Sequence, residues 1–391
     1  MTDVLRGVRV IELGTMITAP LAGMMLADLG ADVIKIEHPQ GGDPFRSFRG
    51  GQYSPHFVAY NRGKRSMQLD LRNATGRDIL QKLLGRADIL IENYRVGVME
   101  RLGLGTDALA AMNPRLIHCS ITGFGTSGPY CSRPAYDSVG LALSGIANLL
   151  LDPEHPQICG PTIPDNATGM FACYGILGAL YERERTSRGR RVEINMLEAA
   201  IAFIRDPFAN HTQMGIHNDP LTRVASSHSF ALRCEDGKLI APHLSSQPKF
   251  WEGLLIAIGR PELGDDAGFS TREARIKNYL DLTGILAAVF ITRPRAEWVK
   301  VLEKEDVPFA PVHNIPDVIN DPQVKHLETF RILRHPKEGE IVTIKRPVRI
   351  DGGRDATDRP APVLGEHTGE VLSELGYDGP AILKLRKASI I

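Results

Sequence analysis

Strand-like and helix-like patterns alternate through the first 200 residues, and this alternation constrains the fold more than any other feature. VRVIELG (8–14) is a β-branched run ending in glycine, and APLAGMMLADLG (19–30) follows with apolar residues at helical spacing. ADVIKIEHP (31–39) is the next predicted strand. Because consecutive parallel strands need a crossover, this β-α-β order predicts an α/β fold with a Rossmann-like, doubly wound parallel sheet.

The same alternation continues to about residue 196. Further helices are predicted at 76–87, 106–112 and 166–185, and further strands at 88–93, 116–124 and 191–196. The pattern then changes, since 206–229 has little periodicity and many turn residues. That segment is predicted to be a linker or substrate loop, and 230–325 to be a smaller α+β domain.

Length and composition narrow the class of protein. A chain of 391 residues is long for one core, which favours two domains. Lysine plus arginine equals aspartate plus glutamate at 46 each, which argues against a nucleic-acid partner. The five cysteines form no C-x-x-C pair, which favours a reducing cytoplasm over a disulfide framework. No signal-like or membrane-spanning apolar run is present, so no membrane partner is expected.

The familiar catalytic motifs are missing. The turn GTMITAP (14–20) lacks the glycines of G-x-G-x-x-G, so nicotinamide binding is not expected, although Glu37 stands where a ribose-binding acid would. Glu37 is equally explained as a solvated strand end. H-E-x-x-H, G-x-S-x-G and a phosphate-binding loop are also absent, and the dispersed histidines predict no metal site.

Asp165, in PTIPDNATGMFA (161–172), permits two interpretations. Aspartate is a good N-cap, and the predicted helix begins at 166. The positive end of a helix dipole also keeps a carboxylate ionised, and the small residues that follow leave room for a substrate carbonyl. An ionised carboxylate can attack an activated acyl group. Residue patterns alone leave both interpretations open.

A series of motifs gives the chain a family resemblance. They are the opening segment LRGVRVIELGTMITAPLAGMMLADLGADVIKIEHPQGGDPFR, NRGKRSMQLDL (61–71), ADILIENYRVGVMERLGLG (87–105), NPRLIHCSITGFGTSGP (113–129), AYDSVGLALSG (135–145), the segment 164–197 and PAPVLGEHTGEVLSELGY (360–377). In this order they resemble the class III CoA-transferases, the CaiB/BaiF family, almost from end to end.

The resemblance implies a fold and an assembly. The large Rossmann-like domain would combine residues 1–205 and 326–391, with the smaller domain inserted between them. Two ring-like subunits would thread through each other as an interlocked homodimer.

The resemblance also implies a reaction, the transfer of CoA from an acyl-CoA donor to a small carboxylic acid acceptor. The aspartate matching Asp165 would be the nucleophile and would pass through an aspartyl anhydride and an aspartyl-CoA thioester. Coenzyme A would enter as part of the substrate, without a metal. Each arginine among the matching contacts is by itself equally consistent with a surface salt bridge. The positions that match CoA-contacting segments are Met16, Ile17, Thr18, His38, Leu69, Arg72, Asn93, Tyr94, Arg95, Arg101, Thr122, Gly123 and Phe124.

Two departures from the family bear on the reaction. The racemase branch pairs its aspartate with a histidine, where this chain has Tyr136, a poor partner for proton exchange at an α-carbon. A glycine-rich loop of the formyl-CoA branch is replaced by SSHSF (226–230), so Ser226, Ser227 and His228 are candidate acceptor contacts or an ordinary polar loop. Transfer to a dicarboxylate or hydroxy acid is the preferred hypothesis. An acyl-CoA racemase or isomerase and a non-catalytic CoA-binding protein are the alternatives.

Overall fold

The computed structural model describes residues 3–51, 53–354 and 358–391. The chain divides into two compact units. The large unit contains Met1–Ala147, Gly160–Arg205 and Lys325–Ile391, and the small unit contains Asn148–Cys159 and Asp206–Val324. The large unit is therefore assembled from segments distant in sequence.

A six-stranded sheet forms the centre of the large unit. Its strands are β1 (Arg9–Glu12), β2 (Asp32–Glu37), β3 (Arg65–Gln68), β4 (Ile89–Glu92), β5 (Ile117–Thr122) and β6 (Arg191–Asn195). They lie in the order β3-β2-β1-β4-β5-β6, and every neighbouring pair is parallel. The predicted Rossmann-like, doubly wound α/β sheet is thus confirmed. In this order the topological switch point, where such folds bind ligands, lies between β1 and β4.

Helices cover both faces of this sheet because successive strand residues point to opposite sides. On one face Val10, Ile89 and Ile117 pack with apolar residues of the first and the longest helix. On the other face Ile11 and Leu90 join a second cluster. The helices up to residue 203 are α1 (Thr18–Ala27), α2 (Pro55–Asn61), α3 (Ala74–Leu84), α4 (Val98–Arg101), α5 (Thr106–Met112), α6 (Asp137–Leu143), α7 (Ile146–Leu150), α8 (Ile163–Thr186) and α9 (Met196–Phe203).

The small unit has its own apolar core, which includes Trp251, Phe290 and Trp298. Its three-stranded antiparallel sheet consists of β7 (Leu232–Arg233), β8 (Leu239–Pro242) and β9 (Phe309–Pro311). The helices of this part of the chain are α10 (Arg205–Met214), α11 (Thr222–Ser227), α12 (Pro248–Ile258), α13 (Arg272–Lys277), α14 (Tyr279–Phe290), α15 (Arg295–Lys304), α16 (Ile315–Asn320) and α17 (Pro322–His326).

The C-terminal segment returns to the large unit. It forms an antiparallel hairpin of β10 (Phe330–His335) and β11 (Gly339–Ile344), followed by α18 (Thr368–Glu374) and α19 (Gly379–Lys387). Val371 and Leu385 complete one of the two clusters on the main sheet.

The predicted linker or loop at 206–229 is wrong as local structure. These residues belong to the small unit and contain most of α10 and all of α11. None of the residues of α10 is buried, so this helix has no apolar stripe for a periodicity argument to detect. Among the described residues, no helix combines the length and the apolar character needed to cross a bilayer. The cytoplasmic location expected from the sequence stays a prediction.

Candidate active site

Asp165 lies in the first turn of α8, and its side chain does not cap the helix. The helix begins at Ile163, with Thr162 as its N-cap residue and Pro164 in the first turn, where its fixed φ suits a helix start. The carboxylate oxygens of Asp165 accept no hydrogen bond from any residue in the described part of the chain. The N-cap interpretation is therefore wrong, and the start of α8 predicted at 166 lies three residues too late.

Burial and the neighbouring Asp137 both raise the pKa of Asp165. The backbone N–H of Asp165 donates to Asp137 Oδ1 at 3.1 Å. Burial, followed by the negative charge of Asp137, raises the pKa of Asp165 from 3.8 to about 7. The helix dipole was expected to keep this carboxylate ionised, whereas burial and Asp137 act in the opposite direction. Near neutral pH Asp165 therefore exists in comparable amounts as acid and carboxylate.

The turn between β1 and α1 lines the same cavity as Asp165. Met16 in this turn has φ 65°, a left-handed conformation that few residues other than glycine adopt. Asn93, at the end of β4, holds the turn from the side. Its Oδ1 accepts the N–H of Thr15 at 3.0 Å, and its Nδ2 donates to the Thr15 carbonyl at 2.8 Å and to Thr18 Oγ1 at 3.0 Å. The amide of Asn93, predicted to contact CoA, is thus also an internal support of the turn.

The cavity that contains Asp165 has a volume of about 450 Å³ and lies at the carboxyl ends of β1, β4 and β5. This is the switch point at which an open parallel sheet binds its ligands. Of the predicted site residues it brings together Met16, Ile17, Thr18, Asn93, Tyr94, Arg95, Thr122, Gly123, Tyr136 and Asp165.

Two arginines give the cavity a positive side. Arg95 and Arg133 are exposed and line the cavity, and their guanidinium groups form no hydrogen bond or ion pair with another described residue. The guanidinium of Arg133 stacks over the ring of Tyr130, with 3.9 Å to the centroid. Two cations without internal carboxylate partners are suited to an anionic ligand.

Tyr136 is the N-cap residue of α6, and 64% of its surface is exposed. Tyr136 lines the cavity, and its role as a substrate contact stays a prediction. In the described part of the chain the residues that line this cavity include no histidine. The same description contains no group of three or more His, Cys, Asp or Glu side chains placed to hold a metal ion.

Five predicted CoA contacts lie outside this cavity. His38 and Arg72 are within hydrogen-bond distance of each other, and Arg72 pairs with Asp70 at 3.1 Å. Leu69 is only 1% exposed and packs in the core, so its side chain is not available to a ligand, contrary to a side-chain contact. Arg101 is exposed at the end of α4, and Phe124 follows the cavity-lining residues of β5 with its ring edge-on to Tyr130.

The predicted substrate residues Ser226, Ser227 and His228 lie in the small unit. Ser226 and Ser227 end α11, and both hydroxyls donate to the Arg223 carbonyl at 3.0 Å. His228 is 1% exposed, and its Nδ1 lies 3.3 Å from the Ser245 carbonyl. Ser227 and His228 are thus buried within this chain, and their role as acceptor contacts stays a prediction.

Three residues of the site were missed from the sequence. Asp137 follows Tyr136 directly in AYDSVG, and its contact with Asp165 spans 28 residues of sequence. Arg133 lies two residues before this stretch, and a lone arginine in a turn carries no local signal. Asp43 hydrogen-bonds to the N–H of Met16 at 3.2 Å and is visible in the sequence only as part of QGGDPFR.

Comparisons with known proteins agree with this geometry. Residues 5–368 match the family model described as CoA-transferase family III. The chain is 32% identical to a succinyl-CoA:glutarate CoA-transferase of Mus musculus, over 99% of this chain and 90% of the relative. It is also 32% identical to a formyl-CoA:oxalate CoA-transferase of Streptomyces avermitilis, over the full length of both. A crystal structure of a CaiB/BaiF family protein from Brucella suis has a TM-score of 0.85 and 31% identity, and the match covers 96% of this chain and 100% of that one.

These matches extend over nearly the whole chain and include the segments that build the cavity around Asp165. The family resemblance noted in the sequence is therefore confirmed. The protein belongs to CoA-transferase family III, an enzyme family whose substrates contain coenzyme A.

Proposed function

We propose that Asp165 is the nucleophile of CoA transfer and forms covalent intermediates with the acyl group and with CoA. The observation that carries this proposal is the carboxylate itself. It is partly buried, lines a cavity of about 450 Å³, and has no hydrogen bond or ion pair with its oxygens among the described residues. A buried carboxylate without such a structural role is available for chemistry.

In the first half of the reaction, CoA passes from the donor acyl group to Asp165. Its carboxylate attacks the thioester carbonyl, a C–O bond forms, the C–S bond breaks, and CoA leaves as thiolate. The product is a mixed anhydride between Asp165 and the donor acyl group. The thiolate then attacks the aspartyl carbonyl, which gives an aspartyl-CoA thioester and releases the donor acid as carboxylate.

The second half repeats these steps in reverse with another acid. The acceptor carboxylate attacks the aspartyl-CoA carbonyl and expels the thiolate, which leaves an anhydride of Asp165 with the acceptor. The thiolate attacks the acceptor's carbonyl, acyl-CoA is released, and the Asp165 carboxylate is restored. No water enters the cycle, and the anhydride keeps the activation of the thioester only while water is excluded.

The contacts predicted for CoA are part of the same proposal. The turn residues Met16 to Thr18 and the strand-end residues Asn93 to Arg95 surround the cavity and would hold the pantetheine arm. Arg95 and Arg101 would bind its phosphates, since a guanidinium fork suits bidentate phosphate contacts. His38 and Arg72, which lie together outside the cavity, would face the nucleotide end.

We propose a dicarboxylic acid as the acceptor. The two transferase relatives described above are named for glutarate and oxalate, both dicarboxylates. Here the second carboxylate of such an acid would find Arg133, a cavity-lining cation without an internal carboxylate partner among the described residues. One carboxylate would then react while the other is held.

Racemisation of an acyl-CoA is less well supported than transfer. It needs a second group that exchanges a proton at the α-carbon. Position 136 holds a tyrosine where the racemase branch has a histidine, and a tyrosine is a poor partner for such exchange. Proton exchange with solvent deuterium in the absence of a free acid would identify this activity.

We propose a homodimer, with the interlocked arrangement that the family resemblance implies. Three large side chains on α8 are exposed in the single chain and are candidates for contact with a second subunit. Met170 is 52%, Tyr174 76% and Tyr181 70% exposed. Apolar groups this exposed along one helix are typical of an interface. Light scattering of the purified protein would give the mass, and a monomer of 42.9 kDa would refute the dimer.

Exchange assays test the proposed function directly. The protein would be incubated with succinyl-CoA and a panel of free acids, namely glutarate, oxalate, malate and acetate, and new thioesters would be separated by chromatography. We expect transfer to dicarboxylates in preference to acetate, and none with Asp165→Asn. Asp107→Asn, an exposed acid in the first turn of α5, is the matched control. Full transfer by Asp165→Asn would refute the nucleophile.

A further inference from the structure

A group of charged side chains lies buried beneath the turn that precedes α1. Buried charges are costly unless they are paired and hydrogen-bonded, so such a group is unusual in a core. Each of its members is at most 3% exposed: Glu12, Lys35, Glu37, Asp43, Arg46 and Lys64.

Lys35 lies at the centre of this group. Its Nζ is 2.8 Å from Asp43 Oδ2 and 2.9 Å from Glu12 Oε1, and it donates to the Gly14 carbonyl at 2.7 Å. Burial alone would lower the pKa of Lys35, but the charges of Asp43 and Glu12 raise it. Burial alone would raise the pKa of Asp43, but the charge of Lys35 lowers it. Lys35 and Asp43 therefore form a charged pair within the core.

The pair holds the backbone on the N-terminal side of the left-handed residue Met16. Lys35 binds the carbonyl of Gly14, two residues before it, and Asp43 accepts the N–H of Met16 itself at 3.2 Å. Asp43 also accepts the N–H of Phe45 at 2.9 Å, which fixes its own position. A residue other than glycine keeps a positive φ only where its surroundings impose it. Here Lys35 and Asp43 supply that constraint.

The turn transmits this constraint to the site. Met16 lines the cavity of Asp165, whereas Lys35 and Asp43 do not. At the end of the turn, the Thr18 carbonyl packs so closely on Gly169 that a Cβ there would lie 2.8 Å from it. Gly169 is one helical turn after Asp165 in α8. The conformation at Met16 therefore affects both the cavity wall and the packing next to Asp165.

We propose that the buried Lys35–Asp43 pair is a positioning device for CoA transfer, which holds Met16 in its left-handed conformation and so keeps the cavity shaped for the acyl-CoA. The inference rests on the proposed function of the cavity. Neither residue touches the substrate, so both act through the Met16 backbone.

The first test removes the charge of Asp43 and then relieves the turn. Asp43→Asn is expected to raise the KM for acyl-CoA and to slow transfer by about 10-fold to 100-fold, since small displacements near a reacting centre cost that much. Glycine adopts a positive φ without strain, so adding Met16→Gly should recover part of the loss. The proposal would be refuted if the loss of transfer rate in the double variant equalled the product of the losses in Asp43→Asn and in Met16→Gly.

A second variant separates positioning from stability. Lys35→Met with Asp43→Leu replaces the whole pair by apolar side chains, a change that proteins often tolerate without loss of stability. Glu12 keeps its contact with Lys64, and Glu37 keeps Arg46. This variant should therefore fold. Because the Met16 N–H has lost its acceptor, we expect it to transfer CoA at least about 10-fold more slowly than wild type. Wild-type transfer rates in a folded variant would overturn the inference.

The control is a buried ion pair at the far end of α1, where Asp28 is the C-cap residue. Asp28 pairs with Arg62, and both are at most 5% exposed. Asp28→Asn should lower the melting temperature as Asp43→Asn does, with KM unchanged. Failure of the Asp165 mechanism would be recognised separately. Wild-type protein would then transfer CoA without a covalent adduct on Asp165, and the KM values of Asp43→Asn and Asp28→Asn could still be compared.

Discussion

The charge of Asp137 is predicted to set the pH at which Asp165 becomes reactive. Asp137→Asn removes that charge but keeps an oxygen that can accept the Asp165 N–H, a contact of 3.1 Å in the native protein. The cavity and the start of α8 should therefore be unchanged. Only the ionisation of Asp165 is expected to respond.

The size of the effect follows from the causes of the raised pKa. The pKa of Asp165 is raised from 3.8 to about 7, with burial as the larger cause and Asp137 as the smaller. Removing the Asp137 charge should therefore lower the pKa of Asp165, by about 1 if Asp137 supplies less than half of the rise. The reactive form is the carboxylate, whose fraction grows as pH rises through the pKa. At about pH 6 that fraction would increase from roughly one tenth to one half, and at about pH 8 it would hardly change.

The assay is the rate of Asp165 acylation by succinyl-CoA between about pH 5 and pH 8. Asp137→Asn should react about five times faster than wild type near pH 6 and equally fast near pH 8. Asp107→Asn, in the first turn of α5 and exposed, should match wild type throughout. An acid limb at the same pH in wild type and Asp137→Asn would refute the reasoning.

Three further predictions concern the nucleophile, the helix contact and the acceptor. Asp165→Asn should bind CoA with wild-type affinity in calorimetry but transfer none, whereas loss of binding would point to a structural role. Gly169→Ala places a Cβ 2.8 Å from the Thr18 carbonyl and should destabilise the fold by about 1–3 kcal/mol in urea unfolding, while Gly284→Ala, with open space around it, should not; equal stabilities would contradict the packing. Arg133→Gln should raise the KM for glutarate about 10-fold and leave that for acetate unchanged, and an equal rise for both acids would refute a role in dicarboxylate recognition.

The main sheet could be predicted from the sequence because its signal is local. Strands β1, β2, β4 and β5 are short runs of mostly buried residues, and α3 buries apolar residues at helical spacing, so sequence patterns find them. Strand β3 was not predicted. The strand order depends on tertiary pairing, which local sequence patterns do not contain. An example is β1, which pairs with both β2 and β4. Helix α10 escaped prediction because none of its residues is buried, so its apolar periodicity is lost.

The site could be predicted only where a residue matches a family motif. Asp165 and the turn at Met16 were found in this way, and both line the cavity. The influence of Asp137 could not be predicted, because a pKa depends on burial and on contacts across the fold. The burial of His228 was missed for a similar reason, since its left-handed backbone and its contact with Ser245 are set by tertiary structure.

Chemical trapping of the intermediate tests the central claim most directly. The protein would be incubated with succinyl-CoA, quenched with hydroxylamine, digested, and the peptide containing residues 161–172 weighed by mass spectrometry. The account predicts a hydroxamate on Asp165 in wild type and in Asp107→Asn, and none in Asp165→Ala. An unmodified Asp165 in protein that binds CoA and transfers it would contradict the covalent mechanism.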